Sequence, residues 1–226
     1  MILAAGRGTR MRRLTDETPK PLIKVAGRSL IDRMADKIAA YGIEQAVVNI
    51  CYLGEKIKAD LNERTDLSFL FSAEEEALET GGGVKNALPL FRTDAFFVVN
   101  SDPLWTEPTV PALTRLAQAW DSETTDILLL LQPMTRVFGH DGTGDYFLDG
   151  NVPRRKAAGE EAPFVYAGAQ ILHRRIFDDA PDGKFSLNLL YDRAERQGRL
   201  RAVVHDGDWF HVGTPEALAL AEKAFS

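Results

Sequence analysis

The stretch Leu3-Ala-Ala-Gly-Arg-Gly-Thr-Arg-Met-Arg12 decides the fold. An apolar strand over residues 1–5 runs into a loop with two glycines and several arginines. Glycines let a backbone approach a ligand closely, and successive amides of such a loop can cradle anionic oxygens. The loop is not a Walker A motif, because Gly-Lys-Ser/Thr does not follow Gly8. It is not a dinucleotide fingerprint either, because Met11 stands at the third glycine position. A plain strand-to-helix turn would account for Gly-Arg-Gly alone. Pro19-Lys-Pro-Leu22, shortly downstream, gives the loop a second motif to act with.

Outward from this stretch, strand and helix patterns alternate. Leu30, Ile31, Met34, Ala35, Ile38 and Ala39 recur with a helical period over 29–41, closed by Gly42. Residues 45–51 form an apolar, β-branched strand, 55–63 a short helix, 68–72 a strand, and 80–88 a helix opened by three glycines. The apolar strand 95–99 ends at Asn100-Ser-Asp102, 109–120 is helical, and 125–132 is a central strand with five consecutive aliphatics. This order predicts an open, mainly parallel sheet with helices on both faces. Ligands of such sheets sit outside the carboxyl ends of the strands, which groups Gly6 to Gly8, Glu79 to Gly83 and Asn100 to Asp102 around one crevice. Residues 138–159, rich in Gly, Asp and Arg, read as hairpins and loops over that crevice. A strand at 164–172, a helix at 186–197 and a strand at 200–204 follow. An amphipathic helix over 214–225 ends the pattern, with Thr214 as N-cap and Pro215 as its first residue. With no repeat or linker, one domain over 1–226 is expected.

Composition narrows the function classes. The 226 residues, 45% hydrophobic and 27% charged, suit one sizeable core. The longest apolar run, Ile127 to Leu131, is far short of the ~20 residues of a membrane helix. The first residues lack the order of a signal peptide. The single cysteine, Cys51, cannot form an internal disulfide, which points to a reducing, cytoplasmic compartment. A formal net charge of −6 argues against nucleic acid as a partner. Basic residues nevertheless gather at Arg7, Arg10, Arg12, Arg13, Lys20 and Lys24, while acids collect at Glu74, Glu75, Glu76 and Glu79. A small phosphorylated ligand fits that distribution.

Together, the Gly-rich loop and Pro19-Lys-Pro-Leu22 resemble the sugar-1-phosphate nucleotidylyltransferase family. The resemblance implies an α/β fold, a Rossmann-like three-layer α/β/α sandwich of the nucleotide-diphospho-sugar transferase type with a mixed, mainly parallel sheet. It also implies one catalytic domain without a C-terminal β-helix domain. Ala5, Gly6, Arg7, Gly8 and Thr9 would hold a nucleoside triphosphate, with Arg10 on its pyrophosphate and Lys20 near its α-phosphate. Gly81, Gly82 and Gly83, in Glu79-Thr-Gly-Gly-Gly83, match the turn that contacts the nucleotide base. Asn100-Ser-Asp102 matches a family segment whose Asp binds the catalytic Mg²⁺, leaving Asn100 to the substrate. Arg10, Lys20 and Asp102 are thus the catalytic candidates.

Two departures qualify the match. In Trp209-Phe-His-Val-Gly-Thr-Pro215, His211 stands where the family carries a second metal-binding Asp. Mg²⁺ prefers oxygen, so His211 could ligate Mn²⁺, contact a phosphate or remain as a fold-keeping remnant. Asp206 and Asp208 fall on the other face if this segment is a strand. The family's Glu-Lys-Pro, whose Lys grips the sugar phosphate, is absent, and Arg154, Arg155 and Lys156 are the nearest substitutes. Gly144-Asp-Tyr-Phe147 and Tyr166-Ala-Gly168 resemble sugar-side elements of the N-acetylmuramate 1-phosphate uridylyltransferase branch, making Asp145, Tyr166 and Gly168 substrate candidates. His140, His173 and His205 lack zinc-site spacing and are expected to be structural. The implied reaction is attack of a sugar 1-phosphate on the α-phosphorus of a triphosphate, in cell-wall recycling if the sugar is N-acetylmuramate. A mannose- or heptose-1-phosphate guanylyltransferase and a catalytically weakened nucleotide-sugar-binding regulator are the alternatives. The expected partners are the two small substrates, with neither nucleic acid nor membrane, and oligomeric state is left open.

Overall fold

Alternation along the strands sets the layers. Ala46, Val48 and Ile50 of the strand Gln45–Ile50 enter one apolar core and Val47 the other. Leu128 and Leu130 of Ile127–Pro133 likewise part from Ile127, Leu129 and Leu131. A strand buried on both faces needs helices above and below it. The computed structural model describes residues 1–107 and 109–226, apart from the side chain of Arg12. On one face lie the helices Leu30–Ala40, Gly54–Leu61 and Ala112–Ala119, through Met34, Ile57 and Leu116. On the other lie Glu79–Ala87 and Asn188–Arg196, through Val84, Leu190 and Tyr191. This is the expected three-layer sandwich.

At the centre of the sheet, Ile2–Leu3 pairs in parallel with Gln45–Ile50 on one side and Ala95–Asn100 on the other. Ser68–Ala73 extends it in parallel beyond Gln45–Ile50. Phe164–His173 runs antiparallel between Ala95–Asn100 and Ile127–Pro133, and Leu200–Val204 adds a parallel strand to the latter. The sheet is therefore mixed: with the edge hairpin included, four of its strand pairings among the described residues are parallel and four antiparallel. Its antiparallel strand changes register between Tyr166 and Gln170, where Gly168 takes φ +86°.

Most predicted elements are present with small shifts at their ends. Ser29 caps its helix by accepting from Asp32 N–H, and Thr214 caps Pro215–Phe225 by accepting from Ala217 N–H. The helix expected from residue 109 begins only at Ala112, because the chain enters through Pro111 in an extended conformation. The segment expected to cover the crevice instead extends the sheet. Its hairpin, Tyr146–Asp149 with Val152–Arg155, joins Phe164–His173 through Tyr146 and Phe164, and buried Tyr146 belongs to the second core. A third, smaller core holds Met11, Val25, Leu30, Phe210 and Val212. It anchors the Gly-rich loop, which explains an apolar Met11 at a position where a dinucleotide loop carries glycine.

Candidate active site

Leu3 stands opposite Asn49 on one neighbouring strand and Asn100 on the other. The three strands therefore end side by side, and their carboxyl ends open into a cleft of about 380 Å³. Ala5, Gly6, Gly8, Thr9, Arg10, Lys20, Asn100 and Asp102 all line it, so most of the predicted nucleotide and catalytic residues share one cavity. Nothing lies within 4 Å of where a Cβ on Gly6 would sit, which leaves the backbone there open to a ligand. Arg10 is exposed and forms no ion pair among the described residues. Arg7, by contrast, turns away from the lining and lies over the ring of Tyr52, 5.1 Å from its centroid.

Lys20 is brought to the floor by local chemistry. Pro19 and Pro21 hold a tight turn at Lys20–Leu22, closed by Leu22 N–H to Pro19 O at 2.8 Å. Gly8 adopts φ +65°, and a Cβ there would fall 2.7 Å from Lys20 Cβ. The second glycine of the loop is thus required both for its left-handed backbone and for the passage of the lysine stem. Lys20 Nζ donates to Asp102 Oδ2 at 2.5 Å. Asp102 is held beside the loop by Ser101, whose N–H and hydroxyl both donate to Leu3 O. Burial pushes the Asp102 carboxyl up, but the effects opposing it, led by the charge and hydrogen bond of Lys20, leave it below the usual carboxylate range.

The far wall is formed by Glu74, Ala77, Glu79 and Thr80. Glu79 starts its helix with φ +59°, an uncommon backbone for a non-glycine residue. The structure does not bring Gly81, Gly82 and Gly83 to the cleft. All three are buried in that helix, and the Gly81 and Gly82 amides donate to Phe185 O. A Cβ on Gly81 would meet the Phe185 ring at 2.3 Å, and one on Gly82 would meet Gly183 O at 2.2 Å. Close packing explains the glycines, and the lining is left to their predecessors. Sequence reasoning missed Asn49 and Glu74, both buried at strand ends in the cleft. The available signal was the polar Asn49 within an otherwise aliphatic buried strand.

On the opposite side, the strand Trp209–His211 pairs with Pro103–Trp105, setting His211 opposite Pro103 and close to Asp102. Burial drives the His211 pKa down to about 4; the Asp102 carboxylate opposes this, while Lys20 and Arg10 reinforce it. The ring is thus neutral at pH 7, and its buried Nε2 has no hydrogen-bond partner among the described residues. Its ring lies against Gly213, a cleft residue, where a Cβ would come within 2.3 Å of Nε2. Asp206 and Asp208 are occupied by Arg115 and Arg136. Among the sugar-side candidates, Gly168 packs under Asn100 and Pro103, and Asp145 Oδ2 accepts Tyr166 N–H at 2.9 Å; neither Asp145, Tyr166 nor Gly168 lines the cleft. Arg154 pairs with Glu160 and Arg155 with Asp192, whereas Lys156 Nζ donates to the hydroxyl of Thr143 and its backbone N–H to Asp145 O. His205 meets the backbone of a distant segment at Thr106 O, and His173 Nδ1 accepts the nearby Arg175 N–H. His140 packs edge-on against both Trp209 and His211.

Cations and open amides on one side of the cleft, with a polar, partly buried wall on the other, suit a polyanion carrying a flat polar group. Comparison with known proteins agrees. The model of the MobA-like NTP transferase domain matches residues 1–173. The chain is 45% identical to N-acetylmuramate alpha-1-phosphate uridylyltransferase of Caulobacter vibrioides, over 98% of this chain and 94% of that protein. It is 34% identical to the protein of that name in Neisseria meningitidis, covering 98% and 97%. HddC from Yersinia pseudotuberculosis, solved in complex with GMP-PN, superposes over 100% of this chain and 98% of its own with TM-score 0.80 at 22% identity, a likeness of fold. The chain belongs to the MobA-like NTP transferases and, within them, is an enzyme of the sugar-1-phosphate nucleotidylyltransferase family.

Proposed function

We propose that the enzyme transfers a uridylyl group from UTP to N-acetylmuramate 1-phosphate, forming the UDP-sugar and pyrophosphate. The observation that carries the choice of sugar and base is the 45% identity to the Caulobacter vibrioides uridylyltransferase across nearly both full lengths. In this reading residues 1–226 act as one catalytic domain, in the cytoplasm, within cell-wall sugar recycling.

In the reaction, an oxygen of the sugar 1-phosphate bonds to the α-phosphorus as the bond to the bridging oxygen of the β-phosphate breaks. Pyrophosphate leaves with that electron pair. The attacking phosphate is already ionised at neutral pH, so no general base is needed. The task is to hold two anions in line and to offset their charge. Gly6 and its neighbours offer amides at an unobstructed backbone, and Arg10 offers an unpaired guanidinium to the β- and γ-phosphates. Lys20 leaves Asp102 for the α-phosphate, exchanging one anionic partner for another.

The residues present fit a divalent cation, Mg²⁺ or Mn²⁺. Asp102 supplies an ionised carboxylate and His211 a neutral imidazole whose Nε2 has no hydrogen-bond partner among the described residues. Two protein donors completed by phosphate oxygens and water are typical of such sites. A cation there supplies positive charge against the α-phosphate oxygens. A pyrophosphate-release assay over a matrix of nucleoside triphosphates and sugar 1-phosphates tests the proposal. UTP with N-acetylmuramate 1-phosphate is expected to give the highest kcat/KM. Preference for GTP with mannose 1-phosphate would replace both substrates while keeping the reaction. No turnover with any pair would favour a binding regulator.

A further inference from the structure

Asn49 and Glu74 line the cleft, are only 3% and 8% exposed, and take no part in the transfer described above. They form a continuous chain of hydrogen bonds across two neighbouring strand ends. Ala4 N–H donates to Asn49 Oδ1 at 2.9 Å, Asn49 Nδ2 donates to Glu74 Oε1 at 2.7 Å, and Leu78 N–H donates to Glu74 Oε2 at 2.9 Å. One end of the chain is the start of the Gly-rich loop, and the other is the turn leading into Glu79 and Thr80. These are opposite walls of the cleft.

The polarity of this relay is fixed at both ends, because a peptide N–H can only donate. Ala4 obliges Asn49 to present its oxygen, and so its amide nitrogen faces Glu74. Leu78 obliges Glu74 to accept again. Position 74 therefore faces two donors, and only a carboxylate satisfies both. Glutamine, equal in shape, would set its own NH₂ against Asn49 or against Leu78. The third glycine follows from the same arrangement: a Cβ on Gly83 would lie 2.7 Å from Glu74 Oε1 and 2.8 Å from Asn49 Nδ2, and would push the relay apart.

We propose that Asn49 and Glu74 are positioning residues that hold the phosphate loop and the base-side turn at the separation a nucleoside triphosphate spans, and so set its KM. The inference rests on the assignment of the triphosphate to this cleft. It makes a demand that packing alone does not: exchanging acid and amide between the two positions should restore what a single replacement breaks. In the double variant Asn49→Asp, Glu74→Gln, the carboxylate at 49 accepts from Ala4 and from the new amide, whose oxygen accepts from Leu78. Volume and net charge are unchanged relative to the native pair.

Steady-state kinetics of the full chain test this, using the substrate pair the native enzyme turns over best. Glu74→Gln is expected to raise the triphosphate KM about tenfold while kcat and the sugar-phosphate KM stay within about twofold. The double variant should return the triphosphate KM to within about threefold of native. An unchanged KM in folded Glu74→Gln, or a double variant as impaired as the single one, overturns the proposal. If Glu74→Gln does not fold, the double variant decides alone: a folded enzyme with near-native KM supports the relay, and its failure refutes it. A native enzyme inactive with every pair would refute the substrate assignment instead, a different result.

Discussion

Lys20 and Asp102, 82 positions apart, meet at 2.5 Å on the floor of the cleft, with the lysine stem passing beneath Gly8 where no side chain would fit. The pair keeps both charges compensated while no triphosphate is bound. It also makes the lysine available at the point where an incoming anion competes with the carboxylate. An ammonium prepositioned in this way needs little reorganisation at the moment of reaction, which is the condition under which a charge contributes most to the rate.

Lys20→Ala should therefore lower turnover at least about a hundredfold, in line with the ~3–4 kcal/mol typical of one positioned transition-state charge. It should also raise the Asp102 pKa, since the partner that opposes burial is removed. Pyrophosphate release together with a thermal melt distinguishes lost chemistry from lost folding. Near-native rates in folded protein would remove Lys20 from the mechanism.

With His211 in place of a family carboxylate, the proposed metal site carries one fewer negative charge. Mn²⁺, which tolerates imidazole better than Mg²⁺ does, is expected to support activity at lower concentration. His211→Asp should shift the preference toward Mg²⁺, and Asp102→Ala should abolish activity with either ion. Titrating both metals against these variants checks the assignment. Unchanged requirements in His211→Asp would place His211 away from the metal.

Lys156 is the one member of the Arg154, Arg155 and Lys156 run without an acidic partner among the described residues, and it borders Asp145. Its replacement by Ala is expected to raise the sugar-phosphate KM about tenfold, the scale of one charge-assisted hydrogen bond, with the triphosphate KM unmoved. Kinetics in which each substrate is varied separately read this out. Equal effects on both substrates would argue against a sugar-side role.

Two glycines should respond in opposite ways. Gly82→Ala sets a Cβ 2.2 Å from Gly183 O and should destabilise the fold by about 1–3 kcal/mol, despite the ~1 kcal/mol that alanine gains in a helix. Gly6→Ala meets nothing within 4 Å and should leave the denaturation midpoint unchanged while raising the triphosphate KM. Denaturant titration and steady-state kinetics on both variants separate packing from ligand access.

The sequence by itself determined the layered fold and which loop residues gather along one side of the cleft. Both rest on local patterns: alternation in buried strands, helical periods closed by caps, and a Gly-rich loop followed by a proline-bracketed lysine. Such features are dictated by neighbours within a few positions and survive being read one segment at a time. The tertiary structure alone decided which polar groups meet. It took Gly81, Gly82 and Gly83 out of the cleft, because the first two are kept small by a segment a hundred residues downstream and the third by Asn49 and Glu74 on the neighbouring strand ends. It set the 138–159 hairpin at the sheet edge, and it brought Asn49 and Glu74 into one relay with Ala4 and Leu78. Hydrogen-bond polarity and the space for a Cβ are properties of residues that touch, and contacts between strands have no signature in the spacing along either one.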